Sequence, residues 1–155
     1  MEELVQLLIN KNKTISVMES CTGGALCNAI TNISDSSKVF SYGSVTYSNN
    51  AKIMMGVSSY IIDKYSVYSS EVAREMASSV SRLSSCNYAI GVTGKLMKAD
   101  INNMGGEDNK VYFCIYDCDN NIFYDKSMYV NNYNRNDNKN EVINKIVEKM
   151  LEIVK

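Results

Sequence analysis

The stretch "SVMESCTGGA" (residues 16–25) stands where one pattern of the sequence ends and another begins. Just before the glutamate, "TISVM" (14–18) has the β-branched content of a short strand. After the glycines, Leu26, Ile30 and Ile33 recur every three or four positions, as in a helix. The quoted stretch is therefore predicted to form a strand-to-helix turn, in which the glycines let the backbone approach a ligand closely.

The rest of the chain continues the alternation of strand and helix patterns. It begins with a helical segment that contains Leu4, Leu7 and Leu8. A longer helix, with Ser69 or Ser70 as its N-cap, carries an apolar stripe at Val72, Met76, Val80 and Leu83. Strands are predicted at 39–48, 88–92, 110–116 and 122–130. A helical turn that ends at Gly56, an exposed Asn-rich loop at 131–140 and a final helix at 142–154 are also predicted.

This alternation predicts an α/β fold, a three-layer αβα-type domain with a mixed sheet. No linker or internal repeat divides the chain, so residues 1–155 are predicted to form a single domain. The apolar stripes of the helices are compatible both with internal packing and with a homo-oligomer.

Charge and hydropathy exclude several classes of partner. The chain has 16 basic and 17 acidic residues, a balance that does not favour nucleic acid or an anionic membrane surface. No stretch approaches the roughly 20 apolar residues that a membrane-spanning helix needs. The first residues, "MEELVQLLIN", are acidic where a secretory signal would be basic, so a cytoplasmic protein is expected.

The titratable residues limit the chemistry of a site. The five cysteines are odd in number and lie mostly in apolar runs, which favours reduced thiols over a disulfide framework. The chain has no histidine, so neither a zinc site nor another metal site is expected, and no cofactor is predicted. A general base must then be a carboxylate, a lysine, a tyrosine or water.

The turn at "ESCTGG" (19–24) occupies the usual place of a ligand site in an α/β fold, beyond the carboxyl end of a strand. Free N–H groups at a helix start can hold an anion or an oxyanion. A purely structural alternative is equally open at this point, in which Ser20 or Thr22 is only the N-cap of the helix. Two further strand ends carry polar residues, "TYSNNAK" (46–52) and "VTGK" (92–95).

These motifs, in this order, resemble the CinA carboxy-terminal domain family, whose members include nicotinamide mononucleotide deamidases. The family pattern is an Ala-Glu-Ser-Cys-Thr-Gly-Gly turn, Tyr-Ser-Asn-x-x-Lys, a Gly-Val step, a Val-Ser-x-x-Val-Ala helix start and a Thr-Gly loop. Here it appears as "MESCTGG" (18–24), "YSNNAK" (47–52), "GV" (56–57), "YSSEVAREMA" (68–77) and "VTG" (92–94). The resemblance extends over nearly the whole chain and implies a stand-alone form of that domain.

The resemblance implies an amidohydrolase that removes ammonia from nicotinamide mononucleotide, a step of pyridine nucleotide salvage. Matching the motifs position by position makes Ser20 the nucleophile and Lys52 its base, with Tyr47 as a catalytic or pocket-lining residue. Backbone N–H groups at Thr22, Gly23 and Gly24 are the candidates for stabilising the oxyanion. The remaining implied substrate contacts are Glu19, Thr93, Gly94 and Arg135, while Lys95 and Lys98 offer further cations for a phosphate. For Glu19 a structural role, in which its carboxylate accepts hydrogen bonds from the helix start, is equally open.

A lysine base requires an unusual environment. Its ordinary pKa of roughly 10.4 must fall by about three to act near pH 7, which corresponds to roughly 4 kcal/mol. Burial against the adjacent Ile53, Met54 and Met55 is expected to supply part of that decrease. The alternative is that Lys52 is an ordinary surface lysine, whose pKa would stay at its usual value. Cys21, beside Ser20, is a rival nucleophile, because a helix N-terminus lowers the pKa of a thiol.

The chain departs from the family after the Thr-Gly pair, where "TGKLMKADINNMGGEDNKVYF" (93–113) replaces a typical Thr-Gly-x-Ala-Gly-Pro-x-Gly-Gly loop. Two functions therefore remain open from the sequence. One is the amidohydrolase with a Ser20–Lys52 dyad. The alternative is a non-catalytic module that binds a nucleotide ligand or a partner and whose substrate loop has diverged.

Overall fold

The computed structural model describes residues 1–97 and 104–154. Helices and strands alternate along most of the chain, as the sequence predicts. The helices are α1 (Glu2–Asn10), α2 (Ala25–Thr31), α3 (Asn49–Met54), α4 (Ser59–Tyr65), α5 (Ser70–Ser84) and α6 (Arg135–Val154), and the strands are β1 (Ile15–Glu19), β2 (Phe40–Val45), β3 (Tyr88–Gly94), β4 (Lys110–Asp117) and β5 (Ile122–Tyr129).

The five strands form one mixed sheet in the order β2-β1-β3-β4-β5. Strand β1 pairs in parallel with both β2 and β3. Strands β3, β4 and β5 pair antiparallel, and the last two form the predicted hairpin. The carboxyl ends of β1, β2 and β3 therefore lie at the same edge of the sheet, and the α/β fold class with a mixed sheet is confirmed.

Side chains of the central strand β3 alternate between two apolar cores. Tyr88, Ile90 and Val92 pack in the larger core, which also contains buried residues of α1, α2 and α6. Ala89 packs on the opposite face with the apolar stripe of α5. All seven residues of β3 are buried, as the continuous apolar run predicts for a strand covered on both faces. The sheet thus lies between two helical layers.

Gly91 is the point at which α5 comes closest to the sheet. A Cβ atom added at this position would overlap the backbone oxygen of Ala73 and lie 2.6 Å from the backbone nitrogen of Ala77. The small side chains of Ala73 and Ala77, both fully buried, permit this approach on the helix side. The distance between α5 and β3 therefore depends on the absence of a side chain at residue 91.

Gly91→Ala should lower the free energy of unfolding by about 3 kcal/mol, because the added methyl group meets helix backbone that cannot rotate away. Urea denaturation followed by circular dichroism measures the change. Gly105→Ala is the matched control, since the atom nearest to its added Cβ, Ser66 Oγ, is 4.0 Å away. Equal loss of stability in both variants would contradict this account of the packing.

Two segments differ from the sequence prediction. Helix α4 was not predicted, and the segment 131–140 is not wholly an exposed loop, because α6 begins at Arg135. The side chain of Asn134 accepts a hydrogen bond from the N–H of Asp137 (2.9 Å), as a helix-capping residue does. Asn138 is fully buried, and its amide donates to the backbone oxygen of Leu96 at 2.5 Å. Asparagine is common in loops, but here two asparagines begin and anchor a helix.

No helix in the described part of the chain has both the length and the apolar character needed to cross a membrane.

Candidate active site

Ser20 and Lys52 meet at the carboxyl edge of the sheet, although they are 32 residues apart in the sequence. Ser20 follows β1 directly, and Lys52 projects from the short helix α3. The Lys52 Nζ lies 2.9 Å from Ser20 Oγ and 2.8 Å from the backbone oxygen of Thr46. Both side chains are buried, with Lys52 only 1% exposed. The distance between Nζ and Oγ is short enough for direct proton transfer.

Burial lowers the pKa of Lys52 to about 8, while the adjacent Cys21 opposes this change. At neutral pH a usable fraction of Lys52 is therefore neutral and able to accept a proton. Burial was the expected cause of this decrease. Of the three adjacent apolar residues named for it, Met54 is 86% exposed and Ile53 is 42% exposed, whereas Met55 packs against an apolar core. The shielding arises because the lysine side chain points inward, towards the turn after β1.

Glu19 holds the start of the helix, which is the structural role that the sequence left open for it beside a contact with substrate. Its carboxylate is fully buried and accepts hydrogen bonds from the N–H groups of Gly24 (3.2 Å), Leu26 (3.1 Å) and Cys27 (2.8 Å). These donors belong to the first turn of α2, where a negative charge is stabilised by the helix dipole. The alternative in which Ser20 or Thr22 caps the helix is also wrong, because the N-cap is Gly24 and Glu19 supplies the capping oxygens.

The N–H groups of Gly23 and Gly24 both donate hydrogen bonds within the turn. The N–H of Gly23 donates to the backbone oxygen of Ser20 at 3.0 Å, and the N–H of Gly24 donates to Glu19. Their predicted role as oxyanion donors is thus not available in this conformation. Both have a positive φ, 60° and 93°, which explains why glycines stand here. The N–H groups of Cys21 and Thr22, at the start of the turn, remain as candidate oxyanion donors.

Cys21 is 5% exposed, and burial raises the pKa of its thiol to about 12. The effect of burial exceeds the opposing effect of the adjacent Lys52. Since the thiolate is the reactive form of cysteine, a thiol with this pKa is a poor nucleophile near pH 7. The environment of the turn therefore favours Ser20 over its rival.

Tyr47 and Arg135 lie on the open side of the same cleft. Tyr47 is 61% exposed, and its hydroxyl is 3.4 Å from Arg135 Nη2. In the described part of the chain, Tyr47 has no hydrogen bond to Lys52. The structure brings Tyr47 and Arg135 together with Ser20 and Lys52, but places the tyrosine at the mouth of the cleft.

Thr93, for which a substrate contact is predicted, is not among the residues that line the cleft. It is fully buried, and its Oγ1 donates to the backbone oxygen of Val67 at 2.8 Å. Val67 and Gly94 do line the cleft. Thr93 therefore positions the segment before α5. Lys98, the other predicted cation, lies outside the described residues.

Several lining residues were not among the predicted site residues: Asn49, Val67, Tyr68 and Leu96. Asn49 and Tyr68 lie inside the quoted motifs "YSNNAK" and "YSSEVAREMA", so the family pattern could have indicated that they line the cleft. Leu96 is held by the buried amide of Asn138, 42 positions away. No local pattern in the sequence indicates that contact.

Lys52→Met should raise the free energy of unfolding by about 1–2 kcal/mol at pH 7. The pKa of Lys52 is about 8 in the fold against an ordinary value of 10.5, so the folded state binds this proton less tightly than the unfolded state does. The resulting penalty, about 3 kcal/mol, is present below pH 8 and disappears as the pH rises to 10.5. Loss of the hydrogen bond to Thr46 offsets part of the gain.

Urea denaturation at pH 7 and pH 10 measures this effect, and the advantage of the variant should shrink at the higher pH. Lys145→Met, which removes a lysine whose side chain is 58% exposed, should change stability by less than about 0.5 kcal/mol at either pH. A Lys52→Met variant less stable than the parent at both pH values would show that the burial of Lys52 carries no penalty.

Many curated proteins are similar to part of the chain, and two of them serve as examples. A relative from Thermoanaerobacter sp. (strain X514), named as a competence-damage inducible protein, is 46% identical over 96 residues, 61% of this chain and 23% of the relative. A CinA-like protein from Flavobacterium psychrophilum is 45% identical over 92 residues, 59% of this chain and 22% of the relative. The matches thus cover about a quarter of the length of these relatives.

Solved structures share the whole fold. The competence/damage inducible protein CihA from Agrobacterium tumefaciens superposes with a TM-score of 0.86 at 27% sequence identity, covering 99% of this chain and 95% of that one. The family model described as the CinA C-terminal domain matches residues 1–155. The chain therefore belongs to the CinA C-terminal domain family.

Proposed function

We propose that this protein is an amidohydrolase that removes ammonia from the carboxamide of nicotinamide mononucleotide and leaves nicotinate mononucleotide. The observation that carries this proposal is the buried contact of 2.9 Å between Lys52 Nζ and Ser20 Oγ. A serine is a weak nucleophile until an adjacent base takes its proton. In this chain, which has no histidine, Lys52 is the group in contact with Ser20 that can do so.

Acylation begins when neutral Lys52 takes the hydroxyl proton of Ser20. The serine Oγ attacks the amide carbon, a C–O bond forms, and the carbonyl oxygen becomes an oxyanion. In this proposal the backbone N–H groups of Cys21 and Thr22 stabilise that charge. When the oxyanion collapses, the C–N bond breaks, and the leaving nitrogen takes the proton from Lys52 and departs as ammonia.

Deacylation uses the same two residues, with water as the nucleophile and Ser20 as the leaving group. Lys52, neutral again, takes a proton from a water molecule, whose oxygen attacks the ester carbon. The bond to Ser20 Oγ breaks, and the serine regains its proton from Lys52 as the carboxylic acid leaves. The backbone oxygen of Thr46, 2.8 Å from Nζ, holds the amine beside Ser20 during both steps.

The substrate in this proposal comes from the family resemblance, and the chemistry comes from the site. The resemblance implies a pyridine nucleotide with a carboxamide, within pyridine nucleotide salvage. The cleft fits an amide substrate because a nucleophile, Ser20, and a base, Lys52, are in contact and both line it. The mechanism needs no metal ion or cofactor.

Ammonia release from nicotinamide mononucleotide by the purified protein tests the proposal. Ser20→Ala and Lys52→Met should each lower the turnover by about 10³-fold or more, because each removes one member of the nucleophile–base pair. Cys21→Ser should retain turnover, since the thiol takes no part. A coupled glutamate dehydrogenase assay follows the ammonia, and chromatography identifies the acid product.

Two outcomes would overturn this function. Turnover that survives in Ser20→Ala but disappears in Cys21→Ser would make the cysteine the nucleophile. Binding of nicotinamide mononucleotide without any ammonia release from the parent protein would favour the non-catalytic module.

The pH dependence of kcat/KM should report Lys52. A base must be neutral to accept a proton, so kcat/KM should rise with pH and level off above an apparent pKa of about 8. Cys21→Ser should show the same profile, because burial keeps the pKa of the thiol near 12. A profile that is flat between pH 6 and pH 9 would exclude Lys52 as the base.

A further inference from the structure

Two cysteines lie close together at the edge of the sheet opposite the candidate active site. Cys86 stands between α5 and β3, and Cys118 directly follows β4. The antiparallel pairing places Tyr88 opposite Asp117, and the N–H of Cys118 donates to the backbone oxygen of Asn87 at 2.8 Å. Cys86 is part of the apolar core beneath α5, and Cys118 packs against the same core. The sheet therefore brings together two thiols that are far apart in the sequence.

The two thiols interact and differ in acidity. A hydrogen bond from the Cys118 thiol holds the pKa of Cys86 below its ordinary value, although burial opposes this change. The same interaction, together with burial, raises the pKa of Cys118. Burial raises the pKa of the other three cysteines, Cys21, Cys27 and Cys114. Cys86 is thus the most readily ionised of the five thiols, and the proton that the pair retains stays on Cys118.

Ser16 supplies a further hydrogen-bond donor to this pair. It lies in β1 two positions before Met18, whose side chain packs in the core beneath α5, so both side chains project to the same face of the sheet. The Ser16 hydroxyl is fully buried and makes no hydrogen bond to an oxygen or nitrogen atom of the described residues. It is one of the donors that lower the pKa of Cys86. A thiolate at Cys86 therefore gives this buried hydroxyl the acceptor that it otherwise lacks.

We propose that Cys86 and Cys118 form a dithiol site that hydrogen peroxide oxidises to a disulfide. The Cys86 thiolate attacks one peroxide oxygen, an S–O bond forms, the O–O bond breaks, and hydroxide leaves and is protonated to water. Cys86 is then a sulfenic acid. The sulfur of Cys118 attacks the sulfur of Cys86, an S–S bond forms, the S–O bond breaks, and the oxygen leaves as water with the proton of the Cys118 thiol. Two thiols lose two electrons, and one peroxide accepts them.

Exposure favours this pair over the other cysteines. Cys86 retains 6% exposure and Cys118 is half-buried, so a molecule as small as hydrogen peroxide reaches them from the edge of the sheet. Cys114 is fully buried. The site is independent of the proposed function, because Ser20 lies at the opposite edge and the oxidation is measured without any turnover.

Counting free thiols after exposure to hydrogen peroxide tests the site. The purified, reduced protein is treated with a few equivalents of peroxide, unfolded, alkylated with N-ethylmaleimide and measured by intact-mass spectrometry. Two of the five thiols should be lost, peptide mapping should locate the link at Cys86–Cys118, and dithiothreitol should restore both thiols. Cys27→Ser, which removes another half-buried thiol, is the matched control and should still lose two thiols.

Single variants separate the two roles. Cys86→Ser should slow the loss of thiols by about tenfold or more, because it removes the attacking thiolate. Cys118→Ser should form no disulfide and should accumulate a sulfenic acid at Cys86, which dimedone traps. Circular dichroism melting shows whether Cys86→Ser is folded, and Cys118→Ser, which changes a half-buried side chain, provides the independent test.

Three results would each overturn this site. The first is a parent protein that keeps all five thiols under peroxide. The second is a disulfide that joins another pair of cysteines or two copies of the chain, which non-reducing gel electrophoresis detects. The third is a Cys118→Ser variant in which dimedone labels no sulfenic acid at Cys86.

Discussion

The buried carboxylate of Glu19 is the constraint on which the candidate site depends. A fully buried charge is costly unless hydrogen bonds compensate it, and three backbone N–H groups of the α2 start do so here. These bonds connect the end of β1 to the first turn of α2 and restrain the backbone of the turn between them. Ser20, the next residue, is thereby held where its Oγ meets Lys52.

Lys52 shows how the fold accommodates an unfavourable group for the sake of its chemistry. An amine in this position loses hydration, and the protein compensates with one backbone oxygen and one serine hydroxyl. The same loss of hydration brings the pKa of Lys52 to about 8, near the range in which a base is useful. The loss of hydration thus destabilises the folded state and also makes Lys52 a usable base. Such a trade-off between stability and activity is common at functional sites.

Much of the fold could be predicted, because the pattern of apolar residues reports which face of each element is buried. The run at β3 and the stripe of α5 both proved to be core. The prediction failed for 135–140, where the asparagine content indicated a loop. Asn138 is instead buried, because both ends of its amide are satisfied, by the oxygen of Leu96 and by the N–H of Asn132. Composition cannot reveal hydrogen bonds of this kind.

The sequence by itself determined the fold class, the strand-to-helix turn and the pair of residues to examine, since these depend on local periodicity and on short motifs. Only the tertiary structure decided what each polar residue does. It assigned Glu19 to the helix start and Thr93 to the oxygen of Val67, and it brought Lys95 and Arg135 to one cleft. The reason is physical: burial, hydrogen bonding and pKa depend on neighbours in space, and these neighbours lie far apart along the chain.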